Sequence, residues 1–110
     1  MFILSIETSC DETAISLVEA HGEFPHATYE IHGDALWAQI DVHREYGGVF
    51  PALAKREHAA TIVPMLEKAI KESGIEADGY TPSLDPETEA KLRELLNREH
   101  SLVDQLLTFH

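Results

Sequence analysis

Two short apolar runs of this chain, Phe2–Ile6 and Ala14–Val18, flank the segment Glu7-Thr8-Ser9-Cys10-Asp11-Glu12-Thr13. It holds three carboxylates, three hydroxyls and the single thiol of the sequence. A turn made only to reverse the chain draws on Gly, Asn or Pro, and this one has none. Hydroxyls and backbone N–H groups at a turn can cradle a phosphate. Carboxylates beside them can hold a metal, position a water or take a proton. Acids alone repel a phosphate, so Glu7, Asp11 and Glu12 would need a cation, a cationic neighbour or a proton. The competing reading is that Thr8, Ser9 and Asp11 only cap local backbone groups. Cys10 reads as a small buried residue, not a nucleophile.

The remaining polar candidates are weaker. His21, His26 and His32 fall in or near turn sequences and are expected to be solvated. His43 and His58 flank Gly47-Gly48, but no Cys or carboxylate completes a metal site by spacing. Neither a His-Glu-x-x-His helix nor a nucleophile with its base is present, which excludes the common protease patterns. Arg44, Lys55 and Arg56 form a small basic cluster that could touch a phosphate. Glu45 and Glu57 beside it favour a solvated helix face.

Strands and helices must position these groups. Phe2–Ile6 is apolar on both faces, the pattern of a strand covered on both sides. Ala14–Glu19 alternates and pairs with it as an antiparallel hairpin. Ala27–Ile31 and Ala35–Ile40 form a third strand region, with a bulge or small turn at His32-Gly33-Asp34. Pro51 suits the first turn of a helix. Ala52–Ser73 has helical spacing at Ile62, Leu66, Ala69 and Ile70, with a kink or restart expected at Pro64 and a cap at Gly74. A loop with Gly79 and Pro82 follows. Asp85-Pro86-Glu87 then opens a second helix, whose stripe runs from Leu92 to Leu107 as core or as a helix-to-helix contact.

The expected fold class is therefore α/β: three antiparallel strands, then two helices, with an open face and an unpaired sheet edge. Asp and Glu number 20 against 8 Lys and Arg, a net charge of −12, which argues against broad nonspecific nucleic-acid binding. One cysteine permits no internal disulfide and fits a reducing cytoplasm. The first residues lack a positive n-region, and Glu7 interrupts their apolar run, so a signal peptide is not expected. No stretch approaches the ~20 apolar residues of a membrane span.

Ile6–Thr13, read as I-E-T-S-C-D-E-T, resembles the N-terminal signature of the tRNA threonylcarbamoyladenosine (t6A) transferase family, bacterial TsaD, once called an O-sialoglycoprotein endopeptidase. His43–His58, H-R-E-Y-G-G-V-F-P-A-L-A-K-R-E-H, is similar to the family segment between third strand and first helix, and Val63-Pro64 with Leu66 continues the likeness. The resemblance covers roughly Met1–Gly74. It implies the N-terminal part of an actin-like ATPase fold (sugar kinases, chaperone ATPase, RNase H-like), in which the first hairpin turn faces the nucleotide phosphates. It implies an acyltransferase acting with tRNA and threonylcarbamoyl-adenylate: a threonylcarbamoyl group moves to the amine of the adenosine next to the anticodon. By that carry-over Asp11 and Glu12 are the catalytic acids, and Thr8, Ser9, Cys10 and Thr13 form the substrate- and phosphate-facing loop. A paralogous partner subunit is implied against the first helices, for which Leu53, Ile62, Leu66 and Ile70 are the interface candidates. A divalent metal, iron or zinc, is implied for the full-length family. The family's metal-binding His-x-x-x-His pair and its Ser-Gly-Gly-His-Thr block do not occur in this sequence, so no metal ligand is expected in this chain. Segment 1–75 is the family-like part, and 76–110 reads as a helical insertion. On this reading the 110 residues alone are inactive, and the open sheet edge drives self-association. The alternative is a noncatalytic scaffold or partner subunit of the same modification complex.

Overall fold

The computed structural model describes residues 1–75 and 83–109. The expected loop with Gly79 and Pro82 falls within 76–82 and, like His110, lies outside the described residues. The chain forms two compact units, Met1–Ile75 and Glu76–His110.

In the first unit, strands β1 (Phe2–Glu7), β2 (Glu12–His21) and β3 (Thr28–Ala38) make one antiparallel sheet in the order β1-β2-β3. The expected hairpin is present, with register from Phe2↔Glu19 to Glu7↔Ala14. Side chains alternate across a strand, so Thr13, Ile15 and Leu17 share one face of β2. The third strand region is continuous. Leu17 pairs with Gly33 and Val18 with Ile31, which leaves His32 as the extra residue of a bulge. Ile40, expected in the strand, instead begins a short helix, α1 (Ile40–Arg44).

Helix α2 (Pro51–Ser73) starts with Pro51 and ends at Gly74, which takes the left-handed conformation with φ 64°. That is the cap glycine supplies without steric cost. The helix runs unbroken through Pro64. Proline removes the bond to the Ala60 carbonyl, and Ala60 and Pro64 both lie on the exposed side, where water can satisfy that oxygen. The opposite side packs on β2 and β3. Ile15, Ala35 and Ala69 form the core there, with Ile62, Met65 and Leu66 against them. At Gly33 the approach is so close that a Cβ would lie 2.1 Å from the Ala69 carbonyl oxygen.

This packing corrects two expectations. The interface candidates on α2 face inward: Leu53 is 8 % exposed, Ile62 and Leu66 pack on the core, and Ile70 is half-buried. Their apolar spacing reflects burial against the chain's own sheet. Strand β1, expected to be covered on both sides, is exposed along its whole length, with Phe2 56 % exposed. It is an edge strand with only β2 beside it in this sheet.

In the second unit, the Asp85 side chain accepts from the amides of Glu87 and Thr88 and caps α3 (Pro86–Leu95). The leucine stripe is not one helix. It breaks after Leu95 and resumes in α4 (His100–Leu107), where Val103 is buried. Among the described residues, four helices thus stand where two were expected. Among the described residues, no helix is long and apolar enough to cross a membrane.

Candidate functional site

The β1–β2 connection, Thr8–Asp11, is held at several points by hydrogen bonds. The Ser9 amide donates to Glu7 Oε1 at 2.6 Å. Hydrogen bonds from Ser9, its side chain first and then its amide, hold the Glu7 carboxyl below the usual glutamate range. The Glu12 amide donates to the Ser9 carbonyl, and the Gln39 amide donates to the Asp11 carbonyl at 2.7 Å. Cys10 adopts φ 51°, a left-handed conformation uncommon for a residue with a Cβ. Its thiol is exposed, which corrects the expectation of a buried cysteine.

Two grooves meet the loop. The larger, about 550 Å³, is lined by Thr8 and Cys10 on one side and by Pro51, Ala54, Lys55 and His58 of α2 on the other. The smaller, about 220 Å³, is lined by Asp11, Ile40, His43, Arg44 and Gly48. Val49 belongs to both. The N-terminus of a 23-residue helix therefore borders the larger groove, and helix N-termini favour anions. Glu12 is the first residue of β2 and lines neither groove, so the paired acids of the sequence do not open into one cavity.

Thr13 is not part of the phosphate-facing surface. It is 0 % exposed, and its hydroxyl lies 2.8 Å from both His58 Nδ1 and Thr61 Oγ1. One residue after Glu12, the strand alternation turns the side chain under α2.

The sequence reading missed His58, Gln39 and His43. His58 Nε2 lies 3.2 Å from the Cys10 carbonyl, and Gln39 Nε2 lies 3.2 Å from His58 Nδ1. His43 Nε2 lies 2.9 Å from Gln39 Oε1. Gln39 is 0 % and His43 3 % exposed. Among the described residues, no buried side-chain polar atom lacks a partner. The only advance signal was the placement of both histidines around Gly47-Gly48.

A second polar cluster sits elsewhere on the sheet. Glu19, Glu30 and His32 bring three potential metal-ligating atoms within 4.8 Å of one another, the only such group among the described residues. His32 is half-buried and bonds Glu19 at 2.9 Å, which corrects its reading as a solvated turn residue. That bond, with His21 3.3 Å from the other Glu19 oxygen, closes the cluster on itself. Arg44 pairs with Asp41 at 3.2 Å on the surface.

Residues 30–81 match the family model for TsaD, tRNA N6-adenosine threonylcarbamoyltransferase. A Ralstonia pickettii protein of that name is 41 % identical over 86 residues, 74 % of this chain and 23 % of the relative. One from Variovorax paradoxus is 45 % identical over 74 residues, 67 % of this chain and 20 % of the relative. One from Magnetococcus marinus is 45 % identical over 75 residues, 66 % and 21 % respectively. The N-terminal region of this chain belongs to the TsaD family. The chain spans between a fifth and a quarter of the length of these TsaD relatives. Among the described residues, no group of three His, Cys, Asp or Glu converges at the TsaD-like loop, and the two histidines beside it spend both ring nitrogens on hydrogen bonds.

Proposed function

We propose that this chain supplies one wall of the active site of a t6A transferase. The observation that carries the reading is the larger groove, which Thr8 lines together with the N-terminus of α2 and Lys55. These groups together suit a phosphate, which a carboxylate-bearing loop alone would repel. In the reaction, the adenosine amine forms a C–N bond to the carbamoyl carbon. The bond from that carbon to the adenylate phosphate oxygen breaks, and AMP leaves into the groove. The amine must lose a proton, and on this reading Asp11 and Glu12, which follow the groove-lining Cys10 in the chain, are the carboxylates that take it. Asp11 lines the neighbouring groove, which shares Val49. Glu12 is the first residue of β2.

The chain alone is inactive on this reading. The metal, iron or zinc, and most substrate contacts come from residues other than these. The paralogous partner subunit meets the outer surface of α2, since the inner one is occupied by the sheet. A tRNA substrate and an exposed free thiol fit a cytoplasmic enzyme.

The test compares Glu12→Ala and Asp11→Ala with the unaltered sequence in the full-length enzyme, assayed with its partner proteins, tRNA and threonylcarbamoyl-adenylate. Loss of a proton acceptor lowers kcat by about 100-fold or more. Undiminished modification by both variants overturns the catalytic assignment and leaves the noncatalytic scaffold.

A further inference from the structure

Four side-chain and backbone contacts run in one direction from the Gly47-Gly48 side of the site to the loop. The Phe50 amide can only donate, and it donates to His43 Nδ1 at 3.3 Å. His43 therefore carries its proton on Nε2, which donates to Gln39 Oε1 at 2.9 Å. This orients the Gln39 amide so that its Nε2–H donates to His58 Nδ1 at 3.2 Å. His58 in turn carries its proton on Nε2 and donates to the Cys10 carbonyl, which can only accept, at 3.2 Å. The Thr13 hydroxyl lies 2.8 Å from the same Nδ1 and 2.8 Å from the Thr61 hydroxyl, which itself donates to the Glu57 carbonyl at 2.7 Å. The Phe50 amide thus places the His43 hydrogen on Nε2, and the Cys10 carbonyl places a hydrogen on His58 Nε2.

We infer that His58 is a positioning residue for the Thr8–Glu12 loop, acting in its Nε2–H tautomer, which Gln39 and His43 enforce. The ring holds the Cys10 carbonyl while the Gln39 backbone N–H holds the Asp11 carbonyl at 2.7 Å. Two successive peptide units are thus fixed from outside the loop. They include the residue at φ 51° that gives the loop its shape. With both carbonyls tied, the backbone flanking Asp11 has one orientation, and Asp11 stays in the lining of the smaller groove. Reversing the His58 tautomer would set a bare Nε2 against the Cys10 oxygen, and a hydrogen on Nδ1 against the Gln39 donor. This deepens the transferase reading above by naming what sets its loop, but the geometry stands without that reading.

The test uses the 110-residue chain, labelled with nitrogen-15, and needs no activity. Imidazole nitrogen correlation spectra of the unaltered chain should show His58 protonated at Nε2 and bare at Nδ1. His58→Gln keeps one donor and one acceptor about as far apart as the ring nitrogens, so exchange of the Glu12 amide should stay within about twofold. In His58→Phe that exchange should rise about fivefold, the equivalent of one net hydrogen bond of about 1 kcal/mol. The amides of β3 residues Thr28–Ile31 report whether the fold survives. A proton on Nδ1 in the unaltered chain overturns the inference. So does equal exchange in the Phe and Gln variants. Should His58→Phe fail to fold, the tautomer and the Gln variant decide. Failure here leaves the groove and its acids untouched. Failure of the transferase reading leaves the tautomer and the exchange rates as stated.

Discussion

Gly33→Ala offers the sharpest test of how the sheet and helix fit together. The new Cβ would lie 2.1 Å from the Ala69 carbonyl oxygen and 2.9 Å from the Ser73 amide nitrogen. Ordinary contact begins at 3.4 Å, so α2 must withdraw by more than an ångström, and both obstacles are backbone. A gap of about 0.5–1 Å already forfeits a quarter to a half of the dispersion energy across it and this one is wider, and Ile15, Ala35 and Ala69 form the core there. Overpacking of this kind costs about 3 kcal/mol. For a unit of this size that lowers Tm by about 12–24 °C. Urea unfolding followed by the fluorescence of Trp37, the only tryptophan and a β3 residue, measures it directly. Ala69→Gly should not rescue the variant, because the clash is with a carbonyl and not with the Ala69 methyl. A cost below about 1 kcal/mol, or rescue by Ala69→Gly, would refute the account.

Three other outcomes follow from the geometry. Thr13→Val keeps the shape but removes the hydroxyl between His58 and Thr61, so it should cost about 1–3 kcal/mol; a Val variant as stable as Thr13→Ser in the same urea assay would contradict this. The Glu7 carboxyl is held below its ordinary range, chiefly by the Ser9 side chain. Its contribution to stability is therefore full above the unfolded glutamate pKa and lost as pH falls through the folded one. Carboxyl NMR titration should place its midpoint below the glutamate norm and Ser9→Ala should raise it; a midpoint at or above the norm counts against the loop geometry. The exposed edge of β1, apolar at Phe2, Ile3, Leu4 and Ile6, should make the isolated chain associate. Sedimentation should show a mass that rises with concentration and falls back in Leu4→Lys. A concentration-independent monomer with cooperative melting opposes it.

The hairpin and both helix caps could be read from the sequence because each rests on neighbours. Alternation fixes the strands, Gly74 the end of α2, and Asp85 the start of α3. Short-range signals failed where several local patterns fit. Ile40 continues an apolar alternation equally well as strand or helix, so α1 was hidden. Leucines at helical spacing do not show that the chain turns at Leu96–Glu99. The exposure of β1 was hidden for a different reason: its composition is that of a covered strand, whatever lies beside it. In the site, the loop was found because its residue types are unusual for a turn. Its support was not, because Cys10 and His58 lie 48 positions apart and Gln39 and His58 19 apart. No spacing rule links them, and a histidine beside glycines looks the same whether solvated or buried.

The contact at Gly33 also acts as a datum for the loop. His58 and Ala69 lie on the same rigid helix, about 16 Å apart along its axis at 1.5 Å per residue. Fixing Ala69 against Gly33 therefore fixes how far His58 reaches past the end of β2, to within the tolerance of a hydrogen bond. A one-residue insertion or deletion in α2 between them would advance or retract His58 by about 1.5 Å and rotate it by about 100°. Side chains in that stretch can drift, but its length cannot. The alignment of the loop is gauged from the opposite end of the helix.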